Sequence, residues 1–413
     1  MTNITKKNPA QKLPLPPAKP AVIKSEGQAI EIALELATEF KQNAAKRDQE
    51  RLLPWQEIER YTASGLGTIT VPKAYGGLEA SNETVAKVFT IICAADPSLG
   101  QIPQNHFVII QNLKEYGSEA QKKRWFNDVL NGYRLGNAGP ERKAKAKNIT
   151  DFTARLIATP DGLRANGSRF YSTGAIFAHW VPFRALNDNN QSVQVWVRRD
   201  APGVEIIDDW NSFGQKTTAS GTVLLNNVLV QEEDVIPLWK FADKPDLSGP
   251  ISQLIQASID AGIARGALED AFDFVRQRSR PWVDASVDSA SADPYIIQEA
   301  GKLQIEMDAA YEVLLSGARL IDELAQKLVT EQSSALASVA IAEAKILTTE
   351  AALNISEQLF ALAGSAATRM GHNLDRHWRN ARVHTLHDPI RWKYHLIGNY
   401  LLNGTLPKRH QWN

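Results

Sequence analysis

From Glu26 onward the apolar residues Ile30, Ala33, Leu34, Ala37 and Phe40 recur at helical spacing, with Glu and Lys between them, and predict an amphipathic helix. Ser64-Gly65 ends the next helical stretch, and LGTITVPKAYGGL reads as an extended loop turning at Gly76-Gly77. Further helices are expected at about 81–95 and 106–116. Ser118, with Gln121 three residues on, reads as a capping box that opens a helix over 119–131. Around 132–137 the period changes. ITDFTARLIATPDGLRANGSRFYSTGA alternates apolar and polar positions and breaks at Asp161-Gly162 and Asn166-Gly167, both hairpin-turn dipeptides. SVQVWVRRD and GTVLLNNVLV are strands of the same kind. From Pro250 the helical period returns, with helices expected at about 251–279, 295–329, 333–363 and 389–403. Alanine-rich faces such as ALASVAIAEAKILTTEAALN suit close packing in a bundle. The pattern predicts an α+β chain in four parts: a tail (1–25), a helical domain (26–134), an antiparallel β-domain built as a sandwich or small barrel (135–240), and a four-helix bundle (250–413).

Composition narrows the function. The chain has 413 residues, 43% hydrophobic and 22% charged, enough for two or three domains with ordinary cores. Lys+Arg and Asp+Glu both total 46, so overall charge gives no attraction for nucleic acid or a membrane surface. No apolar run approaches the roughly 18 to 20 residues of a membrane span. The first 24 residues hold five prolines, five lysines and no acid or apolar segment, which is not a secretory signal. This stretch is expected to be disordered and partly polyproline, and the expected address is the cytoplasm. The single cysteine, Cys93, lies in an apolar run and reads as a buried thiol. No metal-ligand spacing, P-loop or Ser-x-x-Lys arrangement stands out, and Gly65–Gly67 precedes a strand, unlike a dinucleotide fingerprint.

The order of these parts, together with GLGTITVPKAYGGL, DDWNSFGQKTTASGTVLLNNVLV, RSRPW and DRHWRNARVHTLHDP, resembles the acyl-CoA dehydrogenase superfamily over about residues 28–407. Within it, SLGQIPQNHF, FYSTGAIFAHW and HTLHDPIRWKYH are similar to the flavin-dependent sulfur-acquisition oxidoreductases and the dibenzothiophene monooxygenases. A dehydrogenase of this fold needs a carboxylate to remove a proton α to a thioester carbonyl. Where many members have a Tyr-Glu-Gly run, this chain has His387-Asp388-Pro389, so the candidate acid is Asp388. An Asp before Pro at the head of a helical pattern is also the expected N-cap, which would lower its pKa and make it a poor base.

The same stretch supplies two imidazoles, His384 and His387, which share a face if residues 375–386 are helical. Each has a plainer reading: His384 bonding a backbone carbonyl, His387 packing beneath Trp392. The resemblance implies that His106, His387 and Thr173 are catalytic, with His387 and His106 moving protons. It implies that the Thr173 hydroxyl lies next to flavin N5, where the dibenzothiophene enzymes have serine. Asn137, Ser172, Trp210, Arg280 and His384 are then the cofactor residues, Arg280 as a bidentate phosphate ligand. Read alone, Ser172 and Thr173 are strand-end turn residues and Arg280 a solvated helix-end cation. The basic run Arg142, Lys143, Lys145 and Lys147 reads as a solvated loop near the expected substrate entrance.

The resemblance implies a monooxygenase that takes reduced FMN from a separate reductase and oxygenates a small organosulfur compound with molecular oxygen through a C4a-peroxyflavin, as a homotetramer. The single glycine in LAGSAAT favours FMN over FAD. An FAD-dependent acyl-CoA dehydrogenase with Asp388 as base is the alternative reaction class, and a non-enzymatic flavin-binding protein is a third reading.

Overall fold

The structure, a computed structural model, describes residues 12–141 and 153–413. The N-terminal helices are α1 (Glu26–Lys41), α2 (Ala44–Glu50), α3 (Trp55–Ala63), α4 (Asn82–Ala95), α5 (Pro97–Gln101), α6 (Gln104–Tyr116) and α7 (Glu119–Leu130). Their starts follow from local chemistry. Ser25 and Ser81 cap α1 and α4 by accepting from the amides of Gln28 and Thr84. Ser118 and Gln121 form both halves of the expected capping box. The buried stripe of α1 is Ala29, Ala33, Leu36 and Phe40, whereas Leu34 is 52% exposed. Ala33 and Phe40 lie on the buried face as expected, and that face is turned toward Ala29 and Leu36 by less than a quarter of a turn.

The sheet contains β1 (Arg155–Thr159), β2 (Gly162–Arg169), β3 (Trp180–Leu186), β4 (Ser192–Arg198), β5 (Val204–Ile207), β6 (Thr222–Val230) and β7 (Val235–Ile236). They form one seven-stranded sheet in the order β5-β6-β2-β1-β3-β4-β7. The pairs are antiparallel except β1 with β3, which run parallel. Asp161-Gly162 makes the β1–β2 hairpin as expected. Asn166-Gly167 does not turn the chain: it lies within β2, where the register with β6 shifts between Ala165 and Gly167. A Cβ on Gly167 would stand 2.5 Å from that of Ala154, so this bulge needs glycine.

The C-terminal helices are α8 (Ser248–Gln277), α9 (Pro294–Ala325), α10 (Glu331–Ala363), α11 (Asp375–His384) and α12 (Ile390–Asn403). α8 is buried along most of its length and packs on both α4 and α10. At the crossing with α4, a Cβ on Gly262 would lie 2.4 Å from the Cβ of Cys93, and one on Gly266 2.3 Å from the carbonyl oxygen of Ala94. The two backbones therefore meet with no side chain between them. Cys93 is fully buried in this contact, as its apolar surroundings implied.

The tail differs from expectation. Residues 1–11 lie outside the described residues, but residues 12–24 form an ordered extended segment on the helical domain. Ile23 is buried, Ala21 donates its amide to the carbonyl of Ala63 (2.9 Å), and Lys12 sits over the Trp55 ring at 4.5 Å. The physical reason is that this segment gains backbone hydrogen bonds and a buried seat for Ile23, while Leu13, Leu15 and Val22 stay exposed, which its composition alone does not reveal.

Where the helical domain passes into the sheet, two imidazoles hold consecutive amides. His106 Nδ1 accepts from the Leu135 amide at 3.0 Å, and its Nε2 donates to the Gly67 carbonyl at 2.7 Å. His179 Nδ1 accepts from the Arg134 amide at 2.9 Å, and its Nε2 donates to the Leu15 carbonyl at 2.9 Å. His106 is thereby a buried clamp between the two domains with both ring nitrogens hydrogen-bonded to backbone groups, whereas the resemblance implied a proton-moving role. Burial pushes both rings down to about 4. His377, buried against Asp270, is likewise pushed down by burial to about 4.

Because these folded-state values lie below the ordinary histidine value, the unfolded chain takes up protons first as pH falls. The stability from the three histidines is complete above about pH 6.5 and is lost progressively towards pH 4. Chemical denaturation from pH 7 to 4 should show unfolding free energy falling by up to ~1.4 kcal/mol per pH unit for each histidine. His106→Gln should flatten the slope, and an equally steep profile in that variant would contradict the clamp.

Candidate functional site

One half of the site comes from the sheet. β2 ends at Arg169, and Tyr171 then adopts φ +55°, an uncommon conformation for an aromatic residue, before Gly174 turns the chain at φ +81°. This bend buries Ser172 and Thr173 and leaves Tyr171 53% exposed. The Tyr171 ring lies 4.6 Å from Phe170 and 6.0 Å from Trp210, making an aromatic wall beside two hydroxyls. Thr173 Oγ1 is 2.6 Å from Ser220 Oγ, which is 2.8 Å from Thr218 Oγ1. Ser172 Oγ is buried and has no hydrogen-bond partner among the described residues.

The loop after β5 ties this half to the bundle through Gln215. Its carbonyl accepts from Thr218 Oγ1 (3.0 Å) and from Trp210 Nε1 (2.9 Å), and its amide donates to Asn380 Oδ1 on α11 (2.7 Å). Its side-chain oxygen accepts from Ser98 Oγ at 3.0 Å. A hydrogen-bonded path thus runs from Thr173 to Asn380, one helical turn before His384.

The other half comes from α8, α10 and the α11–α12 corner. His384 ends α11 and is buried. Its Nδ1 lies 2.5 Å from Asp260 Oδ1, and its Nε2 has no partner among the described residues. Asp260 Oδ2 accepts from Lys345 Nζ at 2.5 Å and Thr349 Oγ1 at 2.9 Å. The side chains of Asp260, Lys345 and His384 are each 0% exposed. Burial lowers the pKa of His384, against the pull of Asp260.

His387 lies in the turn beyond α11, so it does not share a helical face with His384. Its side chain is 36% exposed, its Nδ1 is 3.2 Å from Asp388 Oδ1, and its Nε2 is 3.4 Å from Gln256 Nε2. It does not pack beneath Trp392, whose ring meets His395 instead.

Asp388 does not cap α12. Pro389 occupies the N-cap position, and no side chain accepts from the first amides there. The carboxylate is buried, bonded to His387, and 3.5 Å from Lys393 Nζ. Burial alone would raise its pKa, but the His387 hydrogen bond and the charges of Lys345, His387 and Lys393 hold it well below the ordinary carboxylate range. The expectation of a poor base therefore stands, for a reason other than capping. A cavity of about 620 Å³ is lined by His387, Asp388 and Lys393, with Trp392, His410 and Trp412 among its walls. The C-terminal segment is tied along one side of it: Lys393 donates to the Trp412 carbonyl, and Gln253 to that of Gln411 at 3.2 Å.

The residues fit a flavin. An aromatic wall, a buried hydroxyl without a partner and an imidazole nitrogen without a partner match a planar ring with a polar edge. Asn137 is half-buried in the strand-like segment leading to Pro140. Arg280 is exposed just beyond the end of α8. The run Arg142, Lys143, Lys145 and Lys147 lies outside the described residues. Tyr171, Asp260, Lys345 and Gln256 belong to this site and were missed from sequence. The available signal was an isolated Asp in QASIDAG and an isolated Lys in AEAKIL, single charges on otherwise apolar helix faces.

Among the described residues, no helix is long and apolar enough to cross a membrane. Family profiles match residues 31–133 as the acyl-CoA dehydrogenase N-terminal domain and residues 254–392 as its C-terminal domain. A dibenzothiophene monooxygenase of Mycolicibacterium goodii is 33% identical over 399 residues, covering 92% of this chain and 95% of that protein. The crystal structure of FMN-bound TdsC from Paenibacillus sp. A11-2 superposes with a TM-score of 0.88 at 31% identity, covering 94% of this chain and 100% of that one. The methanesulfinate monooxygenase MsuC from Pseudomonas fluorescens does so with a TM-score of 0.86 at 27% identity, covering 93% and 99%. The three-part architecture, the flavin-compatible cleft and these matches agree: the chain belongs to the acyl-CoA dehydrogenase family, in the branch that contains the dibenzothiophene monooxygenases.

Proposed function

We propose that this protein is a monooxygenase that uses reduced FMN, received from a separate reductase, to oxygenate a small organosulfur compound. The observation that carries this reading is the state of the bundle face. Where a dehydrogenase needs a free carboxylate, Asp388 is held ionised by His387 and Lys393, and imidazoles stand beside it. An α-proton base requires a carboxylate ready to take a proton, and this one is held far from that condition. Similarity to FMN-bound TdsC and to relatives that act on dibenzothiophene and methanesulfinate supports both the cofactor and the substrate class.

FMN, when bound, supplies the activation of dioxygen for transfer of one oxygen atom to sulfur. Tyr171 and Trp210 would wall the ring, while Ser172, Thr173, Asn137 and His384 would meet its polar edge. Arg280 would hold the phosphate, its exposure leaving the guanidinium fork available. His387 bridges solvent and the buried carboxylate of Asp388, a position from which it would relay a proton between the two. The C-terminal residues His410, Trp412 and Asn413 line the cavity beside His387. Exposed apolar residues on α12 (Trp392, Leu401 and Leu402) and α9 (Ile305) support self-association, which we assign to a homotetramer in the cytoplasm.

Two outcomes test this assignment. Ser172→Ala should weaken FMN binding roughly 2- to 10-fold, the loss of one hydrogen bond, while leaving thermal stability intact. Unchanged affinity would remove Ser172 from the flavin site. With FMN, an NADH:flavin reductase and an organosulfur substrate, oxygen uptake should match product formation. His387→Ala should slow product formation by about 100-fold or more. Anaerobic bleaching of bound FAD by an acyl-CoA, abolished by Asp388→Asn, would replace the oxygenase reading with dehydrogenation.

A further inference from the structure

We propose that Asp260, supported by Lys345 and Thr349, is a positioning residue that holds His384 as the Nδ1–H tautomer and leaves its Nε2 lone pair as the acceptor offered to the active site. The geometry stands by itself, and its catalytic consequence rests on the monooxygenase reading. Asp260 Oδ1, 2.5 Å from His384 Nδ1, is an ionised acceptor, so Nδ1 must carry the proton. The other nitrogen is then a buried acceptor without a partner among the described residues. Gln256 Oε1, one turn earlier on α8, is also buried and without a hydrogen-bond partner among the described residues, whereas Asp388 Oδ2 faces Lys393 Nζ at 3.5 Å. These two acceptors lie on α8 and α11 next to the turn that holds His387, and together they suit a proton-bearing oxygen in the site.

Lys345 sets the charge of this arrangement. A carboxylate facing imidazole through one oxygen would favour the imidazolium. Here the second oxygen is occupied by an ammonium at 2.5 Å, so the carboxylate orients the ring while its charge is largely offset. The other groups facing His384 are His387 in the adjoining turn, with Asp388 and Lys393 beyond it; on α8 and α10 they are Asp260 and Lys345. The result is a neutral acceptor in a fully buried setting. A proton taken up at Nε2 gives an imidazolium that keeps its Nδ1–H, with Asp260 as counter-charge and no proton passing to the carboxylate. Joining α8 to α10 does not require this pair, since apolar residues would join them without burying two charges.

The test compares Asp260→Asn, Lys345→Met and the Asp260→Asn/Lys345→Met double variant in the FMN-bound full chain, using ¹⁵N-histidine spectra and the pH profile of oxygenation. Wild type should show His384 protonated at Nδ1. Lys345→Met should move His384 protonation upward by one pH unit or more, because Asp260 then acts unopposed. If Asp260→Asn unfolds, having left Lys345 buried and unpaired, the double variant decides, because it removes both charges together. Folded and FMN-bound, that variant should lose the single tautomer and oxygenate at least about 10-fold more slowly. Wild-type His384 protonated at Nε2, or a folded double variant that keeps either the tautomer or the rate, overturns the proposal. The tautomer spectra need no turnover. A wild type that fails to oxygenate would therefore sink the assigned function and leave the positioning claim to the spectra.

Discussion

The arrangement of this site depends on a buried junction at Gln215. The sheet supplies the hydroxyls and the aromatic wall, the bundle supplies the imidazoles, and the two are set in register where the loop after β5 meets α11. Gln215 is 1% exposed and adopts φ +46°, a conformation that disfavours a residue with a side chain. It is held there by five groups: Asn380 on its amide, Trp210 and Thr218 on its carbonyl, and Ser98 and the Pro97 carbonyl on its side chain. Gly214 beside it permits contact with α11, since a Cβ there would fall 2.0 Å from the Arg379 carbonyl oxygen. Local strain is thus over-determined by surrounding hydrogen bonds, and the gain is a fixed distance between two halves made by different domains.

The electrostatics of the bundle face divide two chemistries that one fold can host. A dehydrogenase wants a carboxylate with a free lone pair; here one buried carboxylate, Asp260, is committed to Lys345 and His384, and the second, Asp388, to His387 and Lys393. Both are held ionised by cations or hydrogen-bond donors. What they leave open are acceptors on neutral groups, His384 Nε2 and Gln256 Oε1. Such a face is suited to receiving a proton-bearing oxygen more than to removing a carbon-bound proton.

Much of the fold was legible because its periods are long and clean. The alanine-rich helices, the Ser118 box and the hairpin at Asp161-Gly162 all follow from local rules. Asn166-Gly167 misled because the same dipeptide serves a turn or a bulge, and only the neighbouring strand decides which. Residues 12–24 misled because their order comes from hydrogen bonds to distant residues, Ala63 and His179, and from the burial of Ile23. At the site, Ser172, Thr173, Trp210 and His387 came from motif resemblance; the structure sets the first three together at the end of β2 and places His387 beside Gln256 and Asp388 at the α11–α12 corner. His106 bonds two distant backbone groups, the Gly67 carbonyl and the Leu135 amide, and such contacts are invisible in a single sequence. Asp260 and Lys345 pair across 85 positions, which no local pattern reports.

The most direct measurement is isotopic. Turnover of methanesulfinate or dibenzothiophene under ¹⁸O₂, with reduced FMN supplied, should place one labelled oxygen atom in the product for each oxygenation, with the other recovered in water. A product free of label, with acyl-CoA oxidised in its place without oxygen, would contradict the account.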